Sequence, residues 1–166
     1  AFWSNGREKL VKKSFPQKKF DYFFESAGPG CTYVLKQNSA QKFKKFLIKN
    51  WKDVNLVELH DWMIYAYFRS QKMKWKIDGK PLMHYRQHRH NQVGVNTGLK
   101  AYSIRFNKIK NKWYRKEAVK IIYLLSQCSA QDVSLNRVFL LKNFWNLRRR
   151  PRDLIILLSM NILKVF

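Results

Sequence analysis

Two short runs of this sequence combine residue types that can do chemistry, and the first is LHDW at 59–62. Asp61 lies there between the imidazole of His60 and the ring of Trp62. A carboxylate held ionised beside an aromatic ring that stacks on a sugar could act as a general base, taking a proton from an acceptor hydroxyl. The simpler interpretation stays open, because the dipole of a helix stabilises a carboxylate near its start and Asp61 could be only a cap.

The second run is YRQHRHN at 85–91. Arg86 could clamp a diphosphate, because a guanidinium binds phosphate oxygens in pairs. His88 and His90 would face the same side of an extended strand and could share a metal. Two histidines without a nearby cysteine or carboxylate are nevertheless a weak metal pattern, and a solvated basic turn accounts for the same residues.

A glycine-rich turn, AGPGCT at 27–32, precedes both runs. It lacks the spacing of the two phosphate-binding glycine patterns, G-x-x-x-x-G-K-[ST] and G-x-G-x-x-G. As a turn it needs no ligand. As a functional loop, its glycines would let the backbone approach a ligand closely.

The elements that must position these runs differ between the two parts of the chain. Aromatic-rich runs predict strands over 20–25 and 31–36, and the DGKP turn predicts a β-hairpin ending in PLMHYRQH. Apolar periodicity predicts a helix that starts at Asn38 or Ser39, and a second one with His60 and Asp61 in its first turn. From about Leu99 onward the sequence predicts helices, over 99–110, 112–127, 131–147 and 153–165. The first part is therefore α+β and the last part all-α.

The composition restricts the class of protein and of partner. The 166 residues are 46% hydrophobic and 16% aromatic, which excludes a disordered basic tail. A net charge of +24 implies a polyanionic partner, whether nucleic acid, anionic lipid or a phosphorylated small molecule, unless it only reflects the composition of the host. Cys31 and Cys128 are far apart, without metal-ligand spacing, which is typical of a reducing compartment.

The C-terminal run, NLRRRPRDLIILLSMNILKVF at 146–166, places a cationic cluster before an apolar stretch. The stretch is shorter than the ~20 residues of a membrane-spanning helix. Basic residues beside an apolar helix suit an anionic membrane surface. A buried C-terminal helix, or a face that packs on another domain, is an equally good interpretation.

Three motifs in order carry a family resemblance: FDYFFESAGPGCTYVL, LHDWMIYAY and KPLMHYRQHRHNQVGVNTG. Together they resemble the C-terminal half of family 2 glycosyltransferases, above all the rhamnosyltransferase-like members that build bacterial surface polysaccharides such as O-antigen. The resemblance implies an α+β fold, the C-terminal part of an A-type glycosyltransferase with few strands plus helices, followed by an all-α tail. Residues 1–98 would be the acceptor-side half of the catalytic domain, and 99–166 a helical extension that could associate with a membrane.

The resemblance also implies a role for each candidate residue. The reaction would transfer a sugar, rhamnose in the nearest members, from a nucleotide-sugar donor to a growing polysaccharide, with inversion. Asp61 matches the catalytic base. The substrate-binding set would be Gly28, Gly30, Cys31, Thr32, His60, Trp62, Arg86 and Asn91. In this pattern His88 is a candidate metal ligand, while His90 falls at a variable position.

One departure from the family matters. The nucleotide-binding strands and the Asp-x-Asp metal motif are expected before residue 1, and no Asp-x-Asp occurs here. The resemblance therefore implies a chain that is inactive alone, in a parent enzyme whose Mg or Mn ion is held mostly elsewhere. The expected partners are the donor, a lipid-linked or oligosaccharide acceptor and the anionic inner face of the cell membrane, on the cytoplasmic side, without specific nucleic acid. A nucleic-acid-binding module and a peripheral membrane protein remain as alternatives.

Overall fold

The computed structural model of the chain describes residues 1–87, 99–128 and 135–162. Within these ranges the α-helices are α1 Gln37–Lys49, α2 Trp51–Val54, α3 His60–Ser70, α4 Leu99–Lys110, α5 Trp113–Ser126, α6 Arg137–Lys142 and α7 Pro151–Ile162. Short 3-10 helices cover Asp21–Phe23, Gly30–Thr32 and Phe144–Asn146. The strands are β1 Phe2–Trp3 and β2 Arg86–Gln87, which pair in parallel with Phe2 opposite Arg86. The described part is thus mixed α and β, with helix predominant, as expected for the α+β class.

The predicted strand over 20–25 is wrong, because this segment makes its hydrogen bonds locally. The N–H of Phe24 donates to the carbonyl of Asp21 at 2.9 Å, which closes the 3-10 turn Asp21–Phe23. A strand must find a neighbour for its backbone groups, and in the described residues the only sheet is β1 with β2. The aromatic pattern still predicts correctly that this segment is buried, since Tyr22 and Phe23 are both in the core.

The other strand predictions fail for the same reason. The segment 31–36 starts inside the 3-10 turn Gly30–Thr32 and then runs on without a described partner strand. In the predicted hairpin the turn forms, with the N–H of Lys80 donating to Asp78 at 3.0 Å, but the two arms do not pair. The arm that ends at β2 pairs with β1 instead.

The helix predictions agree better with the structure. α4 covers the predicted stretch, α5 lies within 112–127, and α3 carries His60 and Asp61 in its first turn. α1 begins earlier than predicted, at Gln37, and its N-cap Lys36 makes no side-chain cap. The single helix predicted over 131–147 is instead α6 followed by a 3-10 turn, with 129–134 outside the described residues. α7 begins two residues before the predicted 153, and 163–166 lie outside the described residues.

Helix α3 lies at the centre of the core. Tyr65 and Ala66 on α3 are fully buried, and α5 packs against α3 with Ile121 and Leu124 turned inward. Buried residues of α7 join the same core. The first part of the chain and the helical last part therefore fix the position of α3 together. Within the described ranges, none of the helices has the length and apolar character to cross a bilayer.

Candidate active site

The glycine-rich turn packs directly against the start of α3. A Cβ atom placed on Gly30 would lie 2.7 Å from Nε2 of His60 and 3.2 Å from Cβ of Asp61. Real Cβ atoms essentially never approach another heavy atom to 2.7 Å, so a side chain at this position would displace the exposed imidazole of His60 and press on Cβ of Asp61. The glycine at position 30 is therefore explained by a close approach, and the turn and the His60–Asp61 pair form one site.

Tyr33 holds the two parts of this site together. Its hydroxyl accepts from the N–H of Gly28 at 3.2 Å and lies 2.9 Å from the carbonyl of Gly28 and 3.3 Å from the carbonyl of Asp61. Burial raises the pKa of Tyr33 well above its ordinary value, and the negative charge of Asp61 adds to this effect. The hydroxyl thus stays a neutral donor, which bridges the turn and the first turn of α3.

The Asp61 carboxylate is half-buried and has one described donor. Oδ1 accepts from the backbone N–H of Trp62 at 2.9 Å, as expected for a carboxylate at the positive end of a helix. Among the described residues, no cationic side chain lies within ion-pair distance of it. Oδ2 is therefore free of described partners and can accept a proton from a bound hydroxyl, which is what a general base must do.

Trp62 lies in the core rather than beside an open site. Its ring is 3% exposed, and its indole N–H donates to the carbonyl of Tyr22 at 2.9 Å. A buried tryptophan normally finds such a partner. The structure gives Trp62 a packing role, and stacking on a sugar stays a prediction for it.

Two further residues of the turn are exposed. Cys31 and Thr32 both face solvent, although the Thr32 hydroxyl donates to the carbonyl of Pro29 at 2.7 Å. Sγ of Cys31 lies 3.8 Å from Sδ of Met83. The segment that leads to Arg86 therefore passes beside the turn, and Arg86 itself is exposed three residues later, in β2.

The remaining predicted residues cannot be placed. His88 and Asn91 lie outside the described residues, as does His90. Within the described ranges, no group of three or more His, Cys, Asp or Glu side chains could hold a metal ion. The predicted metal ligand and diphosphate loop stay predictions.

A buried charge network that the sequence did not predict lies at the other end of α3. Asp21 is fully buried, with Oδ1 3.2 Å from Nη1 of Arg69 and Oδ2 3.5 Å from Nε of Arg149. Oδ2 also accepts from the hydroxyl of Tyr65 at 3.1 Å and from the N–H of Lys18 at 3.2 Å. Burial raises the pKa of the Asp21 carboxyl, while the two guanidinium groups oppose that rise.

Arg149 connects this network to the glycine-rich turn. It is 5% exposed, and its Nη2 lies 3.1 Å from Oε2 of Glu25. The same nitrogen donates to the carbonyl of Ser26, whose hydroxyl in turn lies 3.4 Å from the carbonyl of Gly28. The segment that enters the turn is thus fixed by an arginine more than a hundred residues away in the sequence.

The sequence contained one signal for this network. Acidic residues are scarce, and Asp21 lies in an aromatic run that is predicted to be buried. A buried carboxylate needs cationic or hydrogen-bonding partners, so a cation near it was one expectation. Nothing local identifies Arg69 or Arg149 as those partners.

The chain is similar to a protein of described activity. The chain is 45% identical over 171 aligned residues to the dTDP-rhamnosyl transferase RfbG of Shigella flexneri. The match covers the whole of this chain but only 59% of the relative, so the chain spans about three fifths of that protein's length. No family model matches the chain, and no solved structure is detectably similar.

Proposed function

We propose that this chain is the acceptor-side part of an inverting rhamnosyltransferase that builds a bacterial surface polysaccharide such as O-antigen. The observation that carries the proposal is the 45% identity, over the whole chain, to a protein described as a dTDP-rhamnosyl transferase. The close packing of Gly30 on His60 and Asp61 supports it, because residues that the motifs associate with one site lie side by side. Membership of glycosyltransferase family 2 is part of the same proposal.

In the proposed reaction Asp61 is the base. Its carboxylate takes the proton of an acceptor hydroxyl, and the acceptor oxygen attacks the anomeric carbon of the donor sugar. A new carbon–oxygen bond forms on the face opposite the leaving diphosphate, and the bond to the diphosphate breaks, which inverts the anomeric centre. Donors positioned where charge develops contribute most to such a step, so the exposed guanidinium of Arg86 is assigned to the leaving diphosphate.

The geometry of the turn supports the other proposed substrate contacts. Because Gly30 has no side chain, the turn packs directly against both His60 and Asp61. Exposed Cys31 and Thr32 are on the same turn and can contact the donor sugar or the acceptor. Gly28 contributes through its backbone, which Tyr33 fixes in place. Asn91 is assigned to the diphosphate on motif grounds.

A divalent ion, Mg or Mn, is part of the same proposal. Within the described ranges no group of three or more His, Cys, Asp or Glu side chains could hold it, and His88, outside those ranges, is the ligand that the motif suggests. No step of the chemistry above depends on the ion. The proposed partners are the nucleotide-sugar donor and a lipid-linked or oligosaccharide acceptor, at the cytoplasmic face of the cell membrane, without specific nucleic acid.

The test uses the whole protein that contains this chain. It is incubated with radiolabelled dTDP-rhamnose and with glycolipid from cells in which its gene is deleted, and incorporation into the lipid fraction is counted. UDP-glucose and GDP-mannose serve as control donors. We expect label only from dTDP-rhamnose. Transfer from another donor would contradict the sugar assignment, and no transfer from any of the three would contradict the proposal as a whole.

A further inference from the structure

The segment that runs from α1 through α2 into the following turn, residues 44–56, combines exposed apolar side chains with lysines. Ile48, Trp51 and Leu56 are 66%, 60% and 60% exposed. Lys44 and Lys45 are exposed as well and lie four and three residues before Ile48, on the same face of α1, while exposed Lys52 follows Trp51 in α2. These six residues are called the lysine–tryptophan surface below.

Folding does not account for this surface. The opposite face of α1 carries Phe43 and Phe46, which are buried against Tyr67 on α3 at ring-centroid distances of 5.0 and 4.6 Å. That stripe supplies the contact of α1 with the core. Scattered exposed apolar residues are ordinary in soluble proteins, but Ile48, Trp51 and Leu56 fall within nine residues that also carry exposed lysines, and such a cluster is a candidate interaction site.

The chemistry of the patch identifies the partner. Residues 37–56 contain five lysines and a single carboxylate, Asp53, so the field at this face is strongly positive. Tryptophan is favoured at the boundary between lipid headgroups and acyl chains, where its ring is apolar and its N–H can be hydrated. A polyanion such as nucleic acid would satisfy the lysines but not the aliphatic side chains of Ile48 and Leu56. We propose that the lysine–tryptophan surface docks on an anionic lipid bilayer.

The C-terminal basic run is less suited to this role than its sequence suggests. Arg148 donates to the carbonyl of Phe24 at 2.5 Å, Arg149 is buried in the network, and Arg150 donates to the carbonyl of Lys12 at 2.7 Å. These arginines therefore hold the fold together. Trp145, 71% exposed between α6 and α7, provides a matched control: an equally exposed tryptophan outside the lysine-rich face.

The test is flotation of the whole protein with vesicles of phosphatidylcholine, with and without phosphatidylglycerol. We expect flotation only with the anionic lipid. The variant Ile48→Ser/Trp51→Ser should lose about tenfold in vesicle affinity, and Lys44→Gln/Lys45→Gln/Lys52→Gln a similar factor, because apolar insertion and charge act together. Trp145→Ser should bind as the unaltered protein does. Circular dichroism verifies that each variant is folded.

Three outcomes would overturn the inference. The first is flotation that is unaffected by Ile48→Ser/Trp51→Ser, and the second is an equal loss on Trp145→Ser. The third is binding that only the lysine variant weakens and that random DNA reproduces, which would be attraction to any polyanion. Vesicle binding is measured without a sugar donor. A protein that floats but transfers no sugar would therefore refute the proposed function alone, and one that transfers sugar but does not float would refute the docking alone.

Discussion

Helix α3 has a carboxylate near each end, and the two differ in burial and in their cationic partners. At its C-terminal end, Arg69 contacts Asp21, which is fully buried and also lies beside Arg149. At its N-terminal end, Asp61 is half-buried and accepts from one backbone N–H, with no cation near it among the described residues. The Asp21 carboxylate therefore has a structural role, whereas the Asp61 carboxylate remains available to accept a proton.

The physical reason lies in the cost of burial. A buried carboxylate must be compensated, and the compensation here fixes α3, the segment before the glycine-rich turn and the chain before α7 in one place. With that end fixed, the first turn of α3 is held against Gly30 without needing a charged partner of its own. The Asp21 network thus holds α3 in position, while the Asp61 carboxylate stays unpaired among the described residues.

The largest expected effect separates the two carboxylates by activity. Asp61→Asn in the whole protein removes the base but keeps the shape, so we expect the initial rate of rhamnose transfer to fall by about 10²–10⁴-fold. Donor binding and the melting temperature should be unchanged. Asp78→Asn, at an exposed turn, is the matched control and should transfer normally. Full activity of Asp61→Asn would place the base elsewhere.

The second expected effect separates the same carboxylates by stability. Asp21→Asn leaves buried Arg149 and half-buried Arg69 beside a neutral amide, which should lower the free energy of unfolding by about 3–5 kcal/mol. Denaturant unfolding of this variant and of Asp61→Asn, measured side by side, checks the contrast. If Asp61→Asn proved the more destabilising of the two, the roles assigned to the two ends of α3 would be reversed.

The third prediction concerns the contact between the turn and α3. Gly30→Ala places a methyl group 2.7 Å from His60, so the turn or the histidine must move. We expect a loss of about 1–3 kcal/mol in unfolding free energy, as for other overpacked positions, together with slower transfer. Gly79→Ala is the control, because its methyl group would meet only Ser14 at an ordinary 3.7 Å. An unaffected Gly30→Ala variant would show that the close packing is dispensable.

The sequence predicts the two ends of α3 to different degrees. His60 and Asp61 at a helix start follow from local periodicity, and that prediction is confirmed. Their proximity to Gly30 was implied only by the family resemblance, since local spacing relates residues a few positions apart. The pairing of Asp21 with Arg149, like that of Phe2 with Arg86, joins residues far apart in the chain. Such contacts depend on which segments meet in space, and this also explains why the aromatic runs were mistaken for strands.

The smallest predicted effect tests whether hydrogen bonds of the Tyr33 hydroxyl alone hold the N-terminal end of α3, where Asp61 lies. Tyr33→Phe removes the hydroxyl that links Gly28 to the carbonyl of Asp61, and should lower the free energy of unfolding by about 1 kcal/mol near neutral pH. The folded protein holds the pKa of Tyr33 above its ordinary value, so this contribution is complete below about pH 10 and is lost as the pH rises further, because the unfolded chain ionises first. The difference in unfolding free energy between the two proteins should therefore shrink from pH ~8 to pH ~11. A difference that grew with pH would mean that Tyr33 is bound as its anion, and a positive group would then have to lie beside Asp61 after all.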